Sequence, residues 1–252
     1  MKAQAKMLLL FSTTTVCVEA QTELQEQIVF GAHVSSEHMQ FISSRQYDIE
    51  KVIIQDYLRP VKLNVIVPPK IGKKEIKFAP MAFSGMNASH IDVALKFGLD
   101  GKKGFESQTN WTGMFFNSPS LVSVDFEGFS SKPFIKKMTA MFQGCRRLKQ
   151  IFWGDLDTSN VTAMDSMFSG CNAIEEVDLS HFKTKSVETM NHMFSYCHKL
   201  KSLNLRSFDT SNVKDVTGIF KNCKALEFID ICLFKPSLMQ NILEQGFQDA
   251  RM

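Results

Sequence analysis

Between residues 135 and 234 the apolar positions return every 26 residues. The columns are Ile135/Val161/Val187/Val213, Met138/Met164/Met190/Val216, Met141/Met167/Met193/Ile219, Phe142/Phe168/Phe194/Phe220, Leu148/Ile174/Leu200/Leu226, Ile151/Val177/Leu203/Ile229, Trp153/Leu179/Leu205/Ile231 and Leu156/Phe182/Phe208/Phe234. Cys145/Cys171/Cys197/Cys223 keeps the same interval. Columns in register at this period mark a chain made of one supersecondary unit, too small to bury its own apolar face, so that successive units must stack.

Inside a unit the spacing changes character. Val187, Met190, Met193, Phe194 and Cys197 follow intervals of three, three, one and three, which places them on one face of a short amphipathic helix or a tighter 3₁₀-like equivalent. Leu200, Leu203 and Leu205 then follow L-x-x-L-x-L, whose last pair alternates as a strand does. The connecting loops read Asp157-Thr158-Ser159-Asn160 and Asp209-Thr210-Ser211-Asn212, residues that cap the first free amides of a following helix. The predicted unit is helix, turn, strand, loop. A crossover of about twenty residues is too long for a hairpin, so the strands lie parallel. The fold class is therefore α/β, a solenoid with a short helix plus a parallel strand per 26-residue repeat.

The array weakens toward the N-terminus. Met114-Phe115, Leu121, Val124, Phe126 and Phe129 repeat the pattern 27 residues before the next copy, with Ser118 in the cysteine column. Phe83-Ser84-Gly85-Met86-Asn87-Ala88 echoes Phe168-Ser169-Gly170-Cys171-Asn172-Ala173, but its strand positions are out of register, as in a worn terminal copy. Leu238, Ile242, Leu243 and Phe247 among polar residues predict an amphipathic C-terminal helix that closes the stack. The expected organisation is residues 1–20 as a secretory leader, 21–80 as an irregular N-terminal cap or small domain, 81–236 as the repeat array and 237–252 as a capping helix. The leader is read from Lys2 and Lys6, the apolar run from Met7 to Val18 and the small Ala20. In 21–80, Val52-Ile53-Ile54 and Leu63-Asn64-Val65-Ile66-Val67 before Pro68-Pro69 suggest strands.

Composition narrows the function. The 252 residues are 44% apolar with a formal charge of +3 and no long single-sign run, so nucleic acid is not an expected partner. Six cysteines invite disulfides, yet the four in one column point the same way into the stack, where they serve as small apolar fillers. Neighbouring rungs fall within disulfide range, but parallel Cβ vectors fit the bond badly. No metal or cofactor is expected: no histidine accompanies the cysteine column at a ligand-like spacing. The sequence lacks G-x-S-x-G, H-E-x-x-H, a phosphate-cradling glycine loop and C-x-x-C, which points away from an enzyme.

What remains is surface. Strand residues that do not point inward form a continuous outer face, and its middle column reads Asp125, Phe152, Asp178, Asn204, Asp230. With Arg206 and Phe228 these are the candidate partner-binding residues, charges for steering and aromatics for affinity.

The run Asp157-Thr158-Ser159-Asn160-Val161-Thr162-Ala163-Met164-Asp165-Ser166-Met167-Phe168-Ser169-Gly170-Cys171, with the strand and Ser180-x-Phe182 after it, resembles the BspA-like leucine-rich repeat of bacterial and protist surface proteins. The resemblance implies a leucine-rich-repeat solenoid and a non-catalytic protein, secreted or displayed at the cell surface. It also implies adhesion or protein binding through the exposed sheet face, to a partner such as a host or cell-surface protein. Some members are lipid-anchored, but Val16 and Thr14 match the signal around Cys17 poorly, so peripheral or anchored membrane association lacks a good lipobox. The alternative reading is an intracellular structural repeat scaffold.

Overall fold

In the computed structural model, residues 4–11, 14–21, 27–29, 61–67, 70–71, 74–75, 80–86, 91–98, 110–129 and 135–247 are described. Parallel strands dominate. The first sheet runs, in spatial order, β1 (Gln4–Phe11), β2 (Thr14–Gln21), β3 (Gln27–Val29), β4 (Val61–Val67), β7 (Ile91–Phe97), β8 (Leu121–Asp125) and β9 (Gln150–Phe152). The pairings from β3 to β9 are parallel, while β1 and β2 form an antiparallel hairpin. β5 (Lys70–Ile71) and β6 (Lys74–Glu75) make a small antiparallel pair, and β10 (Ser202–Asn204) and β11 (Phe228–Asp230) a second parallel one.

The run Leu63–Val67 is thus a strand, paired over its length with β7. Val52-Ile53-Ile54 lies outside the described residues. The stretch read as a leader is placed in the β1/β2 hairpin.

The helical spacing of each unit is met by turns. Met141 N–H donates to the Met138 carbonyl and Cys145 N–H to that of Phe142, and the third residues of these turns, Ala140 and Gly144, have φ of 54° and 78°. This is a pair of type II turns in tandem. Positive φ recurs at Ser166 and Gly170, His192 and Tyr196, and Gly218 and Asn222. The predicted repeat helix is corrected accordingly: apolar residues three apart share a face in either geometry, and the backbone chose the one that frees alternate amides. Those amides bond to the next layer, Met138 to Ala163, Ala140 to Asp165, Phe142 to Met167 and Gly144 to Ser169, at 2.8 to 3.0 Å. A helix spends the same groups internally. Because no helix follows them, the loop aspartates cap turns instead: Asp157 accepts the Ser159 amide at 2.9 Å and Asp209 the Ser211 amide at 2.9 Å.

The layers coincide as the columns require. Phe83, Phe115, Phe142, Phe168, Phe194, Phe220 and Phe247 form one stack, with consecutive centroids 5.1 to 5.9 Å apart. A shorter stack of Phe97, Phe126 and Trp153 lies beside it. Phe83 and Met86 occupy the phenylalanine and cysteine slots of the worn copy. Its strand is out of register because Leu95, which pairs with Val124, lies twelve residues after Phe83, whereas Val124 lies nine after Phe115.

The four cysteines of the column are free and buried, and each of their thiols donates to the carbonyl of the phenylalanine one layer back, Cys145 to Phe115, Cys171 to Phe142, Cys197 to Phe168 and Cys223 to Phe194, at 3.0 to 3.2 Å. Ser118 does the same to Phe83 at 2.9 Å. The ladder is therefore a column of donors as well as fillers.

After the last unit, α1 (Pro236–Asn241) runs into one turn of π-helix over Ile242–Gly246. Leu238 and Ile242 are buried, the Gly246 carbonyl accepts the Phe220 amide at 2.9 Å, and Phe247 covers the ring of Phe220. Among the described residues no helix is long and apolar enough to cross a membrane.

Candidate functional site

The strand face is built from the ends of the layers. Asp125, Phe152, Asp178, Asn204 and Asp230 fall in one column, one per layer, with Asp125 beside Phe152 and Asn204 beside Asp230 in parallel register. The sheet along that column is broken. Residues 176–178 are not in a strand, although the Glu175 carbonyl still accepts the Lys201 amide at 2.9 Å. Glu175, Glu176 and Asp178 place three carboxylates in four residues of poor strand propensity, whereas Gln150-Ile151-Phe152 and Phe228-Ile229-Asp230 carry aromatic and β-branched side chains. The expectation of one strand per repeat and an unbroken sheet face is corrected at this layer.

The acidic column has a local task that the sequence reading missed. Asp125 accepts the Glu127 amide at 2.8 Å, Asp178 the Ser180 amide at 2.9 Å, Asn204 the Arg206 amide at 3.0 Å and Asp230 the Cys232 amide at 3.1 Å. Each side chain closes an Asx turn, at the end of a strand for Asp125, Asn204 and Asp230 and at the equivalent position of the broken layer for Asp178. The amide and hydroxyl of Ser180 hold the Asp178 carboxyl below the usual carboxylate range, and the Cys232 thiol and amide do the same for Asp230. Asp125 is further engaged by Lys96 at 3.3 Å.

Phe152 is the exception. It stands where the other layers carry the turn acceptor, and its turn is made instead by Gly154 at φ 59°, where an added Cβ would meet the Glu127 backbone at 2.9 Å. Phe152 is 55% exposed and Phe228 59% exposed. The two are three layers apart and in neighbouring columns, so they do not form one patch. Arg206 is exposed and helps hold Asp230 ionised.

Beside this column runs a ladder of alternating charge, Lys149, Glu175, Lys201, Glu227. Lys201 pairs with Glu175 at 2.6 Å, and its ammonium is favoured first by Glu175 and further by Glu227. A second alternation, Asp157, Lys183, Asp209, Lys235, lies on the loops, with Lys183 on Asp157 at 3.4 Å. Reading each column for sign as well as polarity would have found both.

The protein family described as "Mycoplasma protein of unknown function, DUF285" matches residues 109–231. That interval runs from the unit containing Ser118 to just past β11. Among solved structures, the crystal structure of the T. pallidum leucine rich repeat protein (TpLRR) is similar at 16% identity and a TM-score of 0.37, covering 69% of this chain and 93% of that one. No curated protein matches.

Among the described residues no group of three or more His, Cys, Asp or Glu side chains is placed to hold a metal ion. His181 packs on Trp153 and Phe182, and burial lowers its pKa. The buried thiols are pushed up, Cys145 and Cys223 to about 12, by desolvation, which makes them poor nucleophiles. What the described surface offers is shape, charge and exposed aromatic area.

Proposed function

We propose that this is a non-catalytic leucine-rich-repeat-like protein, secreted or displayed at the cell surface, whose strand face binds another protein. The observation that carries the reading is Phe152. A layer that needed only to fold would hold Asp or Asn there, as four other layers do; this one exposes an aromatic ring and uses a left-handed glycine to make the turn. Large exposed aromatics are the side chains that anchor protein interfaces.

The test is Phe152→Asp, which restores the turn acceptor. The immobilised variant is compared with the parent chain for retention of cell-surface proteins extracted from candidate host cells. The variant is expected to melt within a few degrees of the parent and to retain about tenfold less of the bound proteins, the scale of a lost aromatic anchor. Equal retention by both chains removes the face as the site. Display is checked by N-terminal sequencing of the natural protein from separated fractions: a chain beginning after residue 20 outside the cell supports the reading, and a cytosolic chain keeping Met1 supports an intracellular scaffold.

A further inference from the structure

We propose that the outer edge of β11 accepts an extended segment of a partner protein as an added parallel strand, with a basic side chain opposite Glu227. The proposal rests on the protein-binding reading and moves contact from the face to the end of the stack.

Three columns carry it. Position 228 follows Ser123, Gln150, Glu176 and Ser202; position 232 follows Glu127, Gly154, Ser180 and Arg206; position 233 follows Asp155, His181 and Ser207. Only the last layer fills them with Phe228, Cys232 and Leu233, and all three are exposed, Leu233 by 62%. An end layer that served only to shield the stack would be more polar than the interior layers. This one is more apolar on its solvent side.

The backbone is ready for the same partner. Phe228 N–H bonds to Lys201 and the Asp230 carbonyl accepts Leu205 N–H, so in a parallel ladder the N–H and C=O of Ile229 face away from β10. Among the described residues no strand lies beyond β11. α1 and the π-helical turn cover the ring of Phe220, on the turn flank of the layer.

Charge selects the occupant. In the Lys149, Glu175, Lys201, Glu227 ladder each rung faces the opposite sign, and among the described residues Glu227 has a ladder partner on one side only. The next rung calls for a cation. A second copy joined through β11 would bring another Glu227 to the same short edge, so the alternation favours a basic segment of a different protein.

The probe is a capped peptide copying residues 199–206, which sets its Lys201 copy opposite Glu227 and its Leu203 copy opposite Ile229. With the full chain, saturable binding is expected to slow hydrogen exchange of the Ile229 amide by about tenfold. Glu227→Lys should weaken binding by about fivefold, the scale of an exposed ion pair, and a peptide with Glu in place of that Lys should recover it. Ile229→Pro, which removes the outward donor at an edge position, should abolish binding. Phe152→Asp should leave it intact, which separates this edge from the strand face. An unchanged Ile229 amide at saturation, no recovery by the charge swap, or binding lost with Phe152→Asp but kept with Ile229→Pro would overturn the proposal. So would self-association of the chain that Glu227→Lys and Ile229→Pro abolish, an outcome that assigns the edge to a second copy.

Discussion

At the scale of the residue, the cysteine column shows how a repeat uses one side chain for two ends. Each thiol fills a small apolar slot and supplies a donor to the layer behind it, and Ser118 supplies the same donor without the sulfur. Cys171→Ala, close in volume to Cys171→Ser but without a donor, is expected to destabilise the chain by about 1 kcal/mol more than that serine variant, as judged by denaturant titration. Desolvation holds the ladder thiols protonated, pushing those of Cys145 and Cys223 up to about 12. Mass spectrometry after iodoacetamide treatment of the native chain should therefore find Cys232 modified and Cys145, Cys171, Cys197 and Cys223 untouched until denaturant is added. The column's burial was legible from its period. The donor role was not, since a spacing says nothing about which carbonyl lies one layer back.

At the scale of the element, the turns closed by Asp178 and Asp157 make the fold sensitive to acid. The carboxyl of Asp178 is held below its ordinary value by the Ser180 amide and hydroxyl. For Asp157 burial acts against the charge, but the Ser159 amide and hydroxyl and Lys183 outweigh it. A depressed folded pKa gives stability that is fully present above the unfolded value of about 4 and is lost as pH falls through the folded one. Melting temperature should thus fall as pH drops below about 4, and Asp178→Asn, which keeps the acceptor and removes the titration, should make that fall shallower. An unchanged slope would mean that Asp178 is not held by its turn. The candidate site was half legible for the same reason. Its column and its exposure follow from alternation along a strand, whereas the Asx turns that occupy Asp125, Asp178 and Asp230 depend on where the chain bends after the strand.

At the scale of the whole molecule, stability is a sum over layers and the bonds between them. Phe194→Ala opens a cavity between two covered layers and is expected to cost about 3 to 5 kcal/mol. Phe247→Ala uncovers only the outer ring and should instead release the last layer, seen as faster hydrogen exchange at Phe220 with little change in the layer of Cys171. Equal effects on every layer would argue against stacking as the source of stability. The charge ladders act at this scale too, since a slip by one repeat sets Lys149 and Lys201 against their own sign.

The sequence alone determined which residues lie inside and which layer each belongs to, because a column of apolar side chains at a fixed period has a single way to be buried, by coincidence of equivalent units. Only the tertiary structure decided how the backbone passes between those positions. A helix and a pair of tandem turns both put Met138, Met141, Phe142 and Cys145 on one side, and the choice falls to amides that can reach Ala163, Asp165, Met167 and Ser169 once the next layer is in place. It likewise decided that the strand face breaks at residues 176–178 and that Phe228, Cys232 and Leu233 are exposed on a layer beyond which, among the described residues, no further strand lies, because both facts depend on what lies beside a residue in the neighbouring layer.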